Sequence, residues 1–169
     1  PPPGHKPSAS LAQAFVAAKA DAPDDTDDNE DDQASRPLSP IALSVARALA
    51  GKRAVLVGGE PRENVRLRLE GALNLDHLTW TSLREHASSA PAVALAERSD
   101  VDIVLILIRL AGHQQVDDLA EACRRLNKPF VRVPRGFSVE QIALAVHTQI
   151  GRRLGIPGAA EPGSPALSA

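Results

Sequence analysis

Gly58, Gly59, Arg62, Arg66, Arg109 and His113 are the residues of this chain whose types and spacing suit chemistry on an anion. The glycine pair ends an apolar run, Ala54-Val55-Leu56-Val57, and leads into Glu60-Pro61-Arg62. A glycine turn feeding a helix N-terminus offers free N–H groups and the positive end of the helix dipole to a phosphate or carboxylate. The same pair also reads as a tight turn after a strand. Arg62 and Arg66 lie one helical turn apart, and guanidinium groups bind anions through planar, bidentate contacts. Arg109 ends an eight-residue apolar strand, so its charge must emerge at the rim. His113 follows on that rim, where it can bind an anion, act as acid or base, or orient a partner. Surface arginines and a helix-start histidine with a satisfied hydrogen bond are the plain alternatives.

Other chemistries find fewer of their parts. Gly-Gly-Glu-Pro-Arg-Glu lacks the glycine spacing of a dinucleotide fingerprint, and Thr79-Trp80-Thr81 ends the second strand without an acid to hold a ribose. There is no Gly-Lys-Ser/Thr loop. His77, His86 and His113 have no regular ligand spacing and no carboxylate cluster beside them, so neither a metal nor a cofactor is expected. A phosphoreceiver needs an aspartate ending the third strand and acids after the first. Ile108-Arg109 and Gly58-Gly59 stand there instead, and Asp100 and Asp102 fall at the wrong end. Cys123, mid-helix on an apolar stripe, reads as core. Trp80 reads as a cap on the sheet edge rather than a stacking platform for a base. Arg124-Arg125 and Arg152-Arg153 read as solvated faces, while Arg132 and Arg135 can extend a basic rim.

The elements that must hold these residues alternate between strand and helix. Ser39 and Pro40 open a helix to Ala50, closed by Gly51, with Ile41, Val45, Ala48 and Leu49 as its stripe. Strand one is Ala54–Val57, and a helix follows from Pro61 to about Leu69, with Val65, Leu69 and Ala72 inward. Leu75–Thr81 alternates as an edge strand does. Ala92–Arg98 is a short helix. Val101–Ile108 is apolar on both faces and therefore central. Arg109 to His113 is a loop opening a helix to about Leu126, buried through Val116, Leu119, Cys123 and Leu126. Pro129–Val133 is a second edge strand. Ser138 caps a last helix that buries Val139, Ile142, Ala143, Val146 and Ile150.

Such alternation implies a parallel sheet with right-handed crossovers. Apolar strands inside and mixed strands outside give the order 2-1-3-4. The fold class is α/β: a small flavodoxin-like three-layer sandwich, with ligands expected where strands one and three diverge. Residues 39–153 form this domain. Residues 1–38 read as a disordered Pro-rich and acidic linker with a short helix over 10–20, and 154–169 as a flexible tail. The chain begins Pro1-Pro2-Pro3 and so reads as a piece of a longer protein.

The 169 residues carry a net charge of -2, unevenly spread: residues 1–40 hold -5 and the remainder +3. That balance is too mild to indicate nucleic acid. A lone cysteine excludes an internal disulfide and suits a reducing compartment. No apolar run is long enough to span a bilayer, so a soluble, cytoplasmic domain is expected.

The segment from Val55 to about Val146 resembles a bacterial family, domain of unknown function 2325. The resemblance rests on Val57-Gly58-Gly59, on Arg66 with Leu69-Glu70, on the apolar strand ending near Gly112-His113, and on Ala122-Cys123-Arg124-Arg125 with Lys128-Pro129. It implies a Rossmann-like fold, often at the C-terminal end of longer proteins. Members of that family carry Ser-His where this chain has Gly112-His113, so the serine hydroxyl is missing here. The expected function is a regulatory or sensor domain that binds an anionic small molecule, a nucleotide among the candidates, at the rim formed by 58–62 and 109–113. An interaction or self-association module, joined to upstream domains, is the alternative. A hydrolase or transferase using His113 is the third reading.

Overall fold

Two of the four strands carry apolar side chains on both faces, and these occupy the middle of the sheet. The computed structural model describes residues 36–84 and 86–159. The stretch expected to be a linker with a short helix lies outside the described residues apart from Arg36 to Leu38, as do residues 160–169. The described residues from Pro37 onward form one unit. Its elements are α1 (Pro40–Leu49), β1 (Arg53–Val57), α2 (Glu63–Ala72), β2 (His77–Thr81), α3 (Ala90–Ala96), β3 (Ile103–Leu107), α4 (His113–Arg125), β4 (Phe130–Val133) and α5 (Val139–Ile150), with a 3-10 turn at Ile108–Leu110.

The strands are all parallel and ordered β2-β1-β3-β4, as the sequence predicts. Side chains alternate across the central strands and create two cores. Leu56 and Leu105 face α1, α2 and α5 in one cluster, while Val55 and Val104 face α3 and α4 in the other. The sandwich is therefore three-layered. Ser39 caps α1 as expected, its Oγ accepting the Ala42 N–H at 3.1 Å. Ser138 caps α5 through the Gln141 N–H at 3.2 Å. Beyond α5, Leu154, Ile156 and Ala159 pack on the first core, and Ile156 is buried.

Several local expectations are corrected. Pro61 does not open α2. The helix begins at Glu63 behind an extended Arg62, whose carbonyl accepts the first helical bond, from the Arg66 N–H at 2.8 Å. Pro61 fits the extended lead-in as well as it fits a first helical turn. Ile41 turns outward, 36% exposed, because α1 buries Ala42, Val45, Ala46 and Leu49; the two alanines let the helix sit close. Leu126 is 41% exposed because α4 ends at Arg125, leaving it at the cap beyond the apolar stripe. Ala72 is half-buried, and Leu73, one residue past the helix, takes the inward place.

Candidate functional site

Two glycines with left-handed backbone, Gly58 at φ +113° and Gly59 at φ +67°, carry the chain off the end of β1. Gly58 spends both its polar groups on β2: its N–H donates to the Thr81 carbonyl at 3.0 Å, and its carbonyl accepts the Trp80 indole N–H at 2.8 Å. It therefore offers no free N–H to an anion. Glycine is required there for another reason, since a Cβ would stand 3.1 Å from Leu107 Cβ. Trp80 is buried at the sheet edge and tilts against Phe137 at 5.6 Å between ring centroids.

Gly59 and Arg109 come together. With Glu60, Ser82, Arg84 and Leu110 they line a hollow of about 390 Å³ beyond the carboxyl ends of β1 and β3. His113, exposed at the start of α4, lines a second hollow of about 600 Å³ with His86, Ser88, Ser89, Gln114 and Asp118. The same two chain segments, 82–89 and 109–118, wall both spaces. Arg62 lies outside both, its guanidinium 5.7 Å from the centre of the Phe137 ring.

Arg66 is elsewhere and fully occupied. Its guanidinium grips Glu63 in a bidentate pair at 2.8 and 2.6 Å, and reaches Glu70 at 2.8 Å and the Leu78 carbonyl at 2.9 Å. These partners, the Glu63 hydrogen bond first, raise its pKa above the usual arginine value. The sequence placed Arg66 near the rim by helical spacing alone; the structure uses it as a brace along β2.

Gln115 is the residue between these two walls that sequence reasoning missed. It is 5% exposed, and its amide donates to the carbonyls of Arg84 at 2.8 Å and Ala87 at 2.7 Å. Its Oε1 accepts the Gly112 N–H at 2.8 Å, so the side chain ties the loop after β2 to the head of α4. A glutamine three residues into a helix, reaching back to the N-cap, is half of a capping box, and that spacing was the available signal. Nearby, Asp118 accepts from the Ser89 hydroxyl at 2.6 Å and from Gln114 at 2.8 Å. Those bonds, the serine's foremost, hold its carboxyl below the usual aspartate range. The Ser89 hydroxyl is thus directed to Asp118 rather than to His113.

The opposite end of the sheet is a charge lattice. Arg53 pairs with Asp76 at 2.8 Å and Asp100 at 3.2 Å, Arg98 joins Asp100 at 2.8 Å, and Asp102 accepts the Arg53 N–H at 2.9 Å. The two aspartates on the approach to β3 therefore have structural partners far from the rim. Among the described residues, no three His, Cys, Asp or Glu side chains are grouped to hold a metal. No described helix is long and apolar enough to cross a membrane. Comparison of the chain with protein-family models, with curated proteins and with solved structures finds no match.

Proposed function

We propose that the domain is a non-catalytic regulatory module that binds a small anionic molecule, a nucleotide among the candidates, at the carboxyl rim of its sheet. The observation that carries this reading is the shared hollow of Gly59, Arg84 and Arg109. It lies at the crevice where β1 and β3 hand over to their crossovers, the usual ligand position in an open parallel sheet. Two guanidinium groups supply planar donors for a phosphate or carboxylate. Leu110, 49% exposed beside them, supplies an apolar wall. Recognition rests on these side chains and on Gly59, because Gly58 is committed to β2.

His113 and the neighbouring hollow extend the same rim and offer imidazole and amide groups to the rest of a ligand. The resemblance to the family with domain of unknown function 2325 implies only a Rossmann-like fold, often at the C-terminal end of longer proteins, which suits a domain reporting to other parts of a longer chain. Isothermal titration with a panel of nucleotides and sugar phosphates tests the proposal. Binding tighter than about 1 mM, which is roughly -4 kcal/mol, is expected for at least one compound, with a tenfold or greater loss in Arg109→Ala. No binding in that range, or binding unchanged by Arg109→Ala, overturns it.

A further inference from the structure

Each edge of the sheet has one outward-facing backbone position held by side chains instead of by a strand. In the β3–β4 ladder, Val104 donates to the Pro129 carbonyl at 3.0 Å, with Val104 in register with Phe130. Alternate residues of a parallel strand bond to alternate sides, so Pro129, Val131 and Val133 face β3, and Phe130 and Arg132 present their backbone outward. Gln149 of α5 occupies the Arg132 position as a neighbouring strand would. Its Oε1 accepts the Arg132 N–H at 2.8 Å, and its Nε2 donates to the Arg132 carbonyl at 2.5 Å. At the other edge, Glu70 accepts the Leu78 N–H at 2.9 Å while Arg66 donates to the Leu78 carbonyl at 2.9 Å. An unpaired edge is a template for another chain, and each edge here carries a plug at its middle.

We infer that the β4 edge is a concealed self-pairing surface, that Gln149 holds it shut, and that the partner it fits is β4 of a second copy. The register follows from the outward residues. A two-fold axis through Val131 sets Phe130 of one copy opposite Arg132 of the other, twice, and each such pair can exchange two N–H···O bonds. It also sets a guanidinium against a ring across the strands instead of opposing two like charges. Arg132 already favours that contact within its own strand, with its guanidinium 5.2 Å from the Phe130 ring centre. Because the Arg66–Glu70 plug on β2 is independent of Gln149, opening β4 alone yields a closed pair and not a filament.

Sedimentation of the full chain across a concentration series tests this. Wild type is expected at one-copy mass. Gln149→Leu, which removes both bonds to Arg132 and leaves a side chain with nothing to hold it on the edge, is expected to reach two-copy mass and stop there. A folded Gln149→Leu that stays at one copy overturns the inference, as does a wild type already dimeric whose mass the substitution leaves unchanged. If Gln149→Leu fails to fold, Gln149→Glu keeps the acceptor for the Arg132 N–H but turns a carboxylate on its carbonyl, and the same masses are expected. In wild type, the Arg132 amide is expected to exchange no faster than that of Val131. Exchange at open-chain rates overturns the plug whatever the variants do.

Discussion

Gly58 lies against Leu107 so closely that a methyl group on it would stand 3.1 Å from Leu107 Cβ and 3.3 Å from the Leu107 carbonyl oxygen. The end of β1 and the end of β3 therefore meet without a side chain between them. The rim hollow opens beside that junction, lined by Gly59 and Arg109 from the two chain segments that leave it.

Gly58→Ala is expected to destabilise the fold by about 2–4 kcal/mol, combining a φ of +113° with overlap on a strand that cannot retreat. Gly59→Ala is expected to cost about 1–2 kcal/mol, chiefly its left-handed backbone. Its close neighbour is Leu110 Cδ1, the tip of an exposed side chain that can swing aside. Urea unfolding of both variants checks the order. A loss at 58 no larger than at 59 would dismiss the approach to Leu107 as a cause of the glycine at 58.

Gln115→Leu is expected to cost about 2 kcal/mol. The three bonds lost argue for more, but Arg84 and Ala87 are exposed residues whose carbonyls can turn to water. Faster exchange of the Gly112 amide should accompany the loss, since that N–H donates to Gln115. Gln115→Glu is expected to be worse than Leu at neutral pH, because it sets a carboxylate against two carbonyl oxygens. A Leu variant as stable as wild type, with Gly112 still protected, would dismiss Gln115 as the tie between the two walls.

Strand order was legible because burial writes itself on composition. Ile103–Leu107 is apolar at every position and had to be central, whereas Leu78 and Trp80 alternate with Thr79 and had to form an edge. The roles of Arg66 and Gln149 were not legible. A side chain that plugs a strand edge is recognisable only once the strand lying beside its helix is known, and helical spacing alone assigned Arg66 to the rim. The late start of α2 was hidden for a similar reason. Pro61 satisfies both a first helical turn and the extended residue before one, and only the Trp80 and Thr81 bonds to Gly58 set how far the chain travels first.

Asp118 should make stability pH-dependent through a depressed carboxyl pKa. The Ser89 and Gln114 hydrogen bonds favour the ionised form, so the folded pKa lies below the unfolded one, near 3.9. The contribution is then complete above about pH 5 and is lost as pH falls through the folded value. Ser89→Ala removes the leading cause and is expected to move the Asp118 titration upward, toward the unfolded value, in a carbon-detected carboxyl experiment. An unmoved titration would mean that Gln114 alone holds it down.

Cys123 is 1% exposed on the face of α4 that packs with Val104, Ile106 and Leu119, and burial pushes its thiol up to about 11. The nearby Lys128 ammonium pulls the other way and is outweighed. Thiolate is the reactive form, so at pH 8 both access and ionisation oppose labelling. Native protein is expected to react with a disulfide reagent only as fast as this half of the core opens, so the rate should rise with urea along the unfolding curve. Gln115→Leu then separates two kinds of opening. If the 82–89 wall and α4 loosen locally, labelling should quicken by more than the variant's loss of global stability accounts for. If labelling merely tracks that loss, Cys123 opens only with the whole domain, and the rim is rigidly joined to the core beneath it.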